Sequence, residues 1–233
     1  MTALLSVNNL TIQYPDGARA IDSVSFSVGE GENVALIGAN GAGKTSLLLA
    51  IVGVLQPSGG EIRVGETLLC KKNLREIRSR VGMVFQNPDD QLFMPDIYED
   101  VAFGPRNFGC GEAETAGRVN AVLEQLGIKH LERRSPLKLS GGEKRLGAIA
   151  TVLAMQPEIM LLDEPTAFLD PRSRRGLIAA LSELPQSKLI ATHDLAFAEA
   201  ACSRVLLLHN GALAADGGID IFHDTDRLFT AGL

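Results

Sequence analysis

One stretch of the sequence decides the fold: Gly38-Ala39-Asn40-Gly41-Ala42-Gly43-Lys44-Thr45. Its first and last glycines, Gly38 and Gly43, are separated by four residues and followed by lysine and a hydroxyl residue, which is the pattern of a phosphate-binding loop. The apolar run Val34–Ile37 before it predicts a buried strand, and Lys44–Leu55 after it predicts a helix. In that setting glycines let backbone N–H groups surround phosphate oxygens at the positive end of a helix. The stretch therefore predicts a nucleotide-binding α/β core.

Strand-like and helical segments alternate on both sides of this loop. The other predicted strands are Leu4–Tyr14, Val24–Val28, Gly60–Leu69, Val81–Phe85, Ile159–Leu162, Leu189–Ala191 and Val205–Leu208. Helical patterns dominate Asn87–Met155, at Glu112–Leu126 and Gly142–Met155, and return at Pro171–Leu184 and Leu195–Ala201. The last segment, Gly211–Leu233, is predicted to be a polar turn and a short tail. This order predicts an α/β core that carries a helical insert.

Composition argues against several classes of protein. The net charge of −6 provides no basic field to attract nucleic acid or anionic lipid. The three cysteines, Cys70, Cys110 and Cys202, form no Cys-x-x-Cys pair, which disfavours a zinc cluster or disulfide framework and favours a reducing compartment. Met1–Leu10 lacks the regions of a signal peptide, and Leu47–Leu55 is less than half of the roughly 20 apolar residues that a membrane span needs. We expect a chain that does not cross a membrane by itself.

Two acids follow the apolar run Ile159–Leu162. Asp163 is predicted to hold Mg²⁺, directly or through water, together with the Thr45 hydroxyl, because a Mg²⁺-nucleotide site needs a carboxylate at the end of a neighbouring strand. Glu164 faces the other side of the backbone and is predicted to polarise the attacking water. Lys44 is predicted to reach the β- and γ-phosphates. The alternative for the acidic pair is a strand that ends in an acidic turn.

A second helix start has the sequence Leu139-Ser140-Gly141-Gly142-Glu143. It offers an anion-binding helix N-terminus with a hydroxyl donor. One nucleotide-binding loop with two phosphate-directed helix ends predicts a head-to-tail dimer, in which Ser140 of one chain covers the nucleotide held at Lys44 of the other. The alternative is a capping box between Ser140 and Glu143, and both readings can hold because they use the same donors.

The loop, the Leu-Ser-Gly-Gly-Glu signature and the Asp163-Glu164 strand end, in that order, resemble the ATPase subunits of ATP-binding-cassette (ABC) transporters. The resemblance covers nearly the whole chain. It implies an α/β fold: a P-loop NTPase core, an N-terminal antiparallel β subdomain and an inserted α-helical subdomain of approximately residues 87–155 within one domain, 1–233. It also implies ATP hydrolysis, Mg²⁺ as cofactor, and a homodimer in the ATP-bound state.

The resemblance adds roles at four positions. It implies that Tyr14 stacks on adenine, that Gln86 senses Mg²⁺ and the γ-phosphate, that Asp170 lies in a loop crossing the dimer interface, and that His193 contacts the γ-phosphate. The alternative for Tyr14 is a half-buried strand residue. The predicted nucleotide-binding residues are Tyr14, Gly38, Ala39, Asn40, Gly41, Ala42, Gly43, Lys44, Thr45, Ser46 and Gln86. The predicted magnesium ligands are Thr45, Gln86 and Asp163. The predicted catalytic residues are Lys44, Glu164 and His193.

Two residues depart from the family pattern. Glu143 stands where glutamine is commoner, and its charge is predicted to disfavour a nearby phosphate. Phe168 stands where a small residue is more usual. Both departures leave the ATPase assignment intact and bear on the geometry of the dimer.

The start of the insert, Asn87–Phe93 and Ile97–Pro105, resembles the ATPases of energy-coupling-factor importers, particularly those for cobalt or nickel, with biotin-type importers next. Its aromatics Phe93, Tyr98 and Phe103 suit a groove that receives a helix of a membrane subunit. We therefore expect integral membrane coupling and substrate-binding subunits as partners, and a cytoplasmic location on the inner face of the cell membrane. The competing class, cassette ATPases of nucleic acid or ribosomes, typically carries zinc modules, coiled-coil insertions or tandem cassettes, and the sequence has none.

Overall fold

The computed structural model describes residues 3–233. Its strands are β1 (Ala3–Gln13), β2 (Arg19–Gly29), β3 (Asn33–Ile37), β4 (Gly59–Val64), β5 (Thr67–Leu68), β6 (Val81–Val84), β7 (Ile159–Asp163), β8 (Ser187–Thr192), β9 (Arg204–His209) and β10 (Ala212–Gly218). Its helices are α1 (Lys44–Ile51), α2 (Leu74–Arg80), α3 (Ile97–Phe108), α4 (Glu112–Gln125), α5 (Gly141–Leu153), α6 (Pro171–Ser182), α7 (Leu195–Ala201) and α8 (Thr225–Thr230). Short 3₁₀ turns occur at Pro88–Asp90, Lys129–Leu131, Pro136–Lys138 and Ile219–His223.

The chain divides into two compact units. The first comprises the residues up to Met83, 158–164 and 185–233, and the second comprises 84–157 and 165–184. The predicted helical segment, approximately 87–155, lies in the second unit, which also takes in α6 from beyond β7.

The strands form two sheets. One has the order β2-β1-β4-β5, and its pairs are antiparallel. The other has the order β10-β9-β3-β8-β7-β6, in which β3 runs parallel to β8 and β9, and β7 runs parallel to β8. The predicted fold class is confirmed: a P-loop α/β core with an antiparallel N-terminal sheet and added helices.

The centre of the parallel sheet is apolar on both faces. All four residues of Val34–Ile37 are 0% exposed, as are Ile159–Leu162 in β7 and Val205–Leu208 in β9. Continuous apolar runs of this kind are typical of parallel strands that are covered on both sides. Because β3 and β7 are rigidly buried, the residues at their carboxyl ends, where the predicted site begins, have fixed positions.

Two predicted segments have different bounds. Helix α1 ends at Ile51 rather than Leu55 because Gly53 adopts a positive φ of 68°, which turns the chain out of the helix. Gly60–Leu69 is divided into β4 and β5 by a turn at Gly65, where φ is 55°. Both deviations come from glycines that leave the regular conformation.

The prediction of a polar turn and short tail for Gly211–Leu233 is wrong. Asn210 and Gly211 both have positive φ, 48° and 79°, the geometry of a two-residue hairpin turn. This turn pairs β10 antiparallel with β9, and α8 follows with Asp224 as its N-cap, accepting from the Arg227 N–H at 3.0 Å. The Asn-Gly pair was a hairpin signal in the sequence, but the strand after it consists mostly of alanine and glycine, so its strand character is weakly marked.

Candidate functional site

The glycine-rich loop joins β3 to α1, and Gly43 is its most constrained position. Its φ is 106°, and a Cβ atom there would lie 2.4 Å from the Ala20 carbonyl oxygen and 2.8 Å from Cδ1 of Ile21. No side chain fits at that distance, and L residues rarely adopt that φ. Glycine therefore lets the loop fold tightly against β2 and begin α1 directly at Lys44.

Lys44 is buried, with 6% of its surface exposed. Its Nζ atom donates to the carbonyl oxygens of Gly38, at 2.7 Å, and Ala39, at 3.2 Å. It also lies 3.7 Å from Oε1 of Glu164. A buried ammonium needs such partners, because desolvation without them is costly. The loop thus holds one cation at its centre, facing a carboxylate.

Thr45 and Asp163 meet across the space between α1 and β7. The Thr45 hydroxyl donates to Oδ2 of Asp163 at 2.8 Å, and Asp163 is 2% exposed. A hydroxyl and a carboxylate are hard oxygen ligands of the kind that Mg²⁺ prefers. Within residues 3–233 no group of three or more His, Cys, Asp or Glu side chains is placed to hold a metal ion. The pair therefore offers Mg²⁺ two hard oxygen ligands, and further ligands would come from outside the pair.

Glu164 follows β7 in a left-handed backbone conformation, with φ 44°. Its backbone N–H donates to the Ala191 carbonyl at 2.8 Å, which fixes it beside β8. Its Oε2 accepts from the Thr192 hydroxyl at 3.1 Å and from the His193 N–H at 3.3 Å. Its Oε1 lies 2.9 Å from Nδ1 of His193, whose side chain is 57% exposed. The structure thus brings together the predicted catalytic residues Lys44, Glu164 and His193.

Thr192 is a member of this cluster that the sequence analysis did not assign. It is fully buried, and its hydroxyl bonds both to Glu164 and to the Asp194 N–H, at 3.0 Å. The signal available was a hydroxyl residue at the end of a strand, immediately before His193. Threonine is frequent in strands, so that signal is weak without the tertiary contact.

Tyr14 lies beside the start of α1. Its hydroxyl is 2.8 Å from Oγ of Ser46, and 37% of the residue is exposed. An aromatic ring with one accessible side next to a phosphate-binding loop can serve as a platform for a purine base. The stacking of Tyr14 on adenine stays a prediction.

The remaining predicted site residues belong to the second unit. Gln86 is exposed, two residues after β6. Ser140 is the N-cap of α5 and forms a full capping box: the Ser140 N–H and hydroxyl both donate to Oε2 of Glu143 at 2.8 Å, and the Glu143 N–H donates to Oγ of Ser140 at 3.4 Å. The hydrogen bond from the Ser140 N–H, and to a smaller extent the one from its hydroxyl, holds the pKa of Glu143 below its usual range. The capping alternative is therefore present in the structure, and Glu143 is the anion at this helix end.

Two further contacts shape the signature. A Cβ atom on Gly142 would lie 2.6 Å from Oγ of Ser173, so only glycine permits this approach of α5 to α6. Asp170 is the N-cap of α6 and accepts from the Ser173 hydroxyl at 2.5 Å and from the N–H groups of Arg172 and Ser173. The hydrogen bond from the Ser173 hydroxyl is the main reason why the pKa of Asp170 lies below its usual range, and these N–H groups lower it further. Phe168, two residues before Asp170, has φ 63° and is 92% exposed.

The aromatics of the insert divide into two groups. Phe93 and Phe103 are 63% and 39% exposed, and their rings pack edge to face with centroids 5.1 Å apart. Tyr98, expected among the exposed aromatics, is half-buried and lies under the Arg133 guanidinium, 4.4 Å from the ring centroid to Cζ. The cation covers one face of the ring and removes it from solvent. Phe93 and Phe103 therefore form the accessible aromatic patch.

Known proteins resemble this chain over its whole length. The family model described as ABC transporter matches residues 21–167. A protein of Geobacter sulfurreducens, assigned by inference as an ABC transporter ATP-binding protein, is 48% identical over 231 residues, 99% of this chain and 93% of the relative. The energy-coupling factor transporter ATP-binding protein EcfA of Methanothermobacter thermautotrophicus is 45% identical over 236 residues, 99% of this chain and 76% of the relative.

Two solved structures share the fold. CbiO1 of Clostridium perfringens, described as part of the ABC transporter complex CbiONQ, has a TM-score of 0.87 and 34% identity, covering 99% of this chain and 94% of CbiO1. The ATP-binding cassette MJ0796, as a dimer in a post-hydrolysis state with ADP and phosphate, has a TM-score of 0.82 and 26% identity, covering 92% of this chain and 98% of that one. Across residues 3–233, none of the helices combines the length and apolar character of a membrane span.

Proposed function

Because this chain belongs to the ABC transporter ATPases, which couple ATP hydrolysis to transport, we propose that it is the ATP-hydrolysing subunit of an energy-coupling-factor importer. The proposed solute is cobalt or nickel. The single observation that carries the catalytic part is the cluster in which Lys44 and His193 both face Oε1 of Glu164, next to the Thr45–Asp163 pair.

Each residue of the cluster has a task in this proposal. The Lys44 ammonium exchanges its bonds to the loop carbonyls for the β- and γ-phosphate oxygens, which are stronger, charged acceptors. Glu164 accepts the proton of the attacking water, and its bonds from Thr192 and His193 hold the carboxylate in one orientation. His193 contacts the γ-phosphate. Thr45 and Asp163 would hold Mg²⁺, with Gln86 as a further ligand, and the ion neutralises charge on the phosphates.

The proposed active form is a homodimer in the ATP-bound state. Leu139, Ser140, Gly141, Gly142 and Glu143 of one chain would cover the ATP held by the loop of the other, and the segment around Asp170 would cross between the chains. The dimeric state of the MJ0796 neighbour supports this arrangement. In this reading the helical segment of approximately 87–155 acts as a subdomain that responds to nucleotide through Gln86.

The importer type is supported by two relatives. EcfA is named for an energy-coupling factor transporter, and CbiO1 for the complex CbiONQ. By that likeness the partners are integral membrane coupling and substrate-binding subunits, which would place the chain at the cytoplasmic face of the cell membrane. A biotin or other vitamin importer is the second candidate. A cassette ATPase of nucleic acid or ribosomes is the third, and the net charge of −6 opposes it.

A transport assay with defined subunits tests the proposal. The chain is co-expressed with candidate membrane subunits in cells that lack their own uptake system, and accumulation of labelled Co²⁺, Ni²⁺ and biotin is compared with that of the Glu164→Gln variant. ATP-dependent accumulation of Co²⁺ or Ni²⁺ alone is the expected result. Accumulation of biotin alone would favour the second candidate. Recovery only with ribosomes or nucleic acid, and not with membranes, would overturn the importer function.

A further inference from the structure

Arg145 is the largest fully buried side chain of the protein, and its place in α5 is unusual for a charge. It is 1% exposed, and its two terminal nitrogens donate to the carbonyl oxygens of Phe85, at 2.7 Å, and Gln86, at 2.6 Å. Charged residues are rarely buried unless their donors are matched. The planar guanidinium presents parallel donors, so it can hold two successive carbonyls at once.

Gln91 holds the same short stretch of backbone through the N–H of Phe85. Its Oε1 accepts from the Phe85 N–H at 3.1 Å, while its Nε2 donates to the Ala148 carbonyl at 2.9 Å and to the Thr151 hydroxyl at 2.8 Å. The N–H and the C=O of Phe85 are therefore both tied to α5, one through Gln91 and one through Arg145. At Gln86 the backbone carbonyl is held by Arg145, and the side chain is exposed.

The other end of the same helix carries the signature. Ser140 caps α5, and Arg145 lies in the second turn, so the helix joins both features over about 8 Å at 1.5 Å per residue. All these contacts lie within the second unit. A displacement of Ser140 along the helix axis moves Arg145 by the same amount, because a helix is stiff over this length.

We infer that Arg145 is a positioning residue: it fixes the backbone of Gln86 to the helix that begins at Ser140, so that the phosphate sensor and the signature move as one body. This inference rests on the roles proposed for Gln86 and Ser140, and not on the transported solute. It predicts that Arg145 acts on hydrolysis through Gln86, without touching nucleotide.

The test is a double-mutant cycle of ATP hydrolysis between Arg145→Lys and Gln86→Ala. Lysine keeps the charge but can replace only part of the paired donation. We expect Arg145→Lys to lower kcat about tenfold while the KM for ATP changes less than about threefold, because the lost interaction serves the transition state. Arg145→Ala should lower kcat further. In the Gln86→Ala background, Arg145→Lys should change kcat by less than about twofold, because the residue through which it acts is already missing.

The matched control is Arg118→Lys. Arg118 also belongs to the second unit, and it donates to a carbonyl near the end of α5, that of Ala154, at 3.4 Å, away from Phe85 and Gln86. Its replacement should leave kcat unchanged in both the wild-type and the Gln86→Ala backgrounds. Thermal unfolding of every variant separates loss of fold from loss of positioning. If Arg145→Lys does not fold, Gln91→Ala replaces it in the same cycle.

The outcomes distinguish failure of the inference about Arg145 from failure of the role proposed for Gln86. An equal fall in kcat in both backgrounds would overturn the inference, since Arg145 would then act independently of Gln86. A Gln86→Ala variant with wild-type kcat would refute the role proposed for Gln86 and the inference with it. A large fall in kcat for Arg145→Lys that disappears in the Gln86→Ala background supports both.

Discussion

Nδ1 of His193 lies 2.9 Å from Oε1 of Glu164, and the N–H of His193 donates to Oε2 of the same carboxylate at 3.3 Å. One residue thus contacts both oxygens of the proposed general base, from the end of β8. The carboxylate is 7% exposed, whereas the imidazole is 57% exposed. His193 therefore links a buried carboxylate to the surface of the protein and holds it in one orientation.

Replacement of Glu164 with glutamine should abolish hydrolysis and retain ATP binding. The amide keeps the shape and accepts the bonds of Thr192 and His193, but it cannot take a proton. We expect phosphate release to fall by at least about hundredfold. Gel filtration with saturating ATP should show a dimer. A persistent monomer would contradict the shared-site model, and Glu30→Gln, on the surface of the same unit, is the matched control.

Replacement of Lys44 with alanine should weaken nucleotide binding itself. Charge-assisted hydrogen bonds contribute about 1.5–3 kcal/mol, so the loss corresponds to about ten- to hundredfold in Kd. Titration with a fluorescent ATP analogue measures it. Lys72→Ala, which removes an exposed lysine, should bind as the wild type does. Unchanged affinity in Lys44→Ala would place the phosphates elsewhere.

Replacement of Glu143 with glutamine should have opposite effects on stability and on dimer formation. The lowered pKa of Glu143 means that its ionised form stabilises the fold above the ordinary carboxyl pKa and that this stabilisation is lost as pH falls through the lower, folded pKa. At pH 7 we expect the variant to be less stable by about 0.5–1 kcal/mol, and the difference to shrink below about pH 4. Urea unfolding at several pH values measures this.

The same variant removes a negative charge from the helix end proposed to face phosphate. It should therefore dimerise at a lower ATP concentration in the Glu164→Gln background. Glu124→Gln, an exposed position on α4, controls for net charge. Weaker ATP-driven dimerisation of the Glu143→Gln variant would contradict this expectation and show that the carboxylate assists dimer formation.

Replacement of Phe93 with aspartate should weaken assembly with the membrane subunits. We place the surface that receives a helix of the membrane subunit at residues 86–105, where Phe93 and Phe103 face solvent, and a charge buried there without a partner costs several kcal/mol. Co-purification of the membrane subunit should fall sharply, and transport with it. Phe229→Asp, at an 83% exposed phenylalanine of α8, is the control. Normal assembly of the Phe93→Asp variant with the membrane subunit would show that the docking site lies elsewhere.

The fold class was accessible from the sequence because its signals are local. The run Val34–Ile37, which Gly38 ends, favours a buried strand, and the motif that ends in Gly43-Lys44 favours a turn into a helix. The hairpin at Asn210–Gly211 was missed for the converse reason. Its strand β10 is rich in alanine and glycine and has no fully buried residue, so its pairing with β9 depends on the adjacent strand rather than on its own composition.

The site shows the same division. The motif residues Lys44, Asp163 and Glu164 were identified by residue type and order, because phosphate and Mg²⁺ chemistry restricts which side chains can serve. Which atoms meet was decided by tertiary structure: the parallel pairing of β7 with β8 brings Thr192 and His193 to Glu164 across 28 and 29 positions of sequence. In the sequence Arg145 is indistinguishable from any other charged residue of a helix. In the structure it is buried and donates to the carbonyls of Phe85 and Gln86, because burial and hydrogen-bond partners are properties of the folded chain and not of the residue.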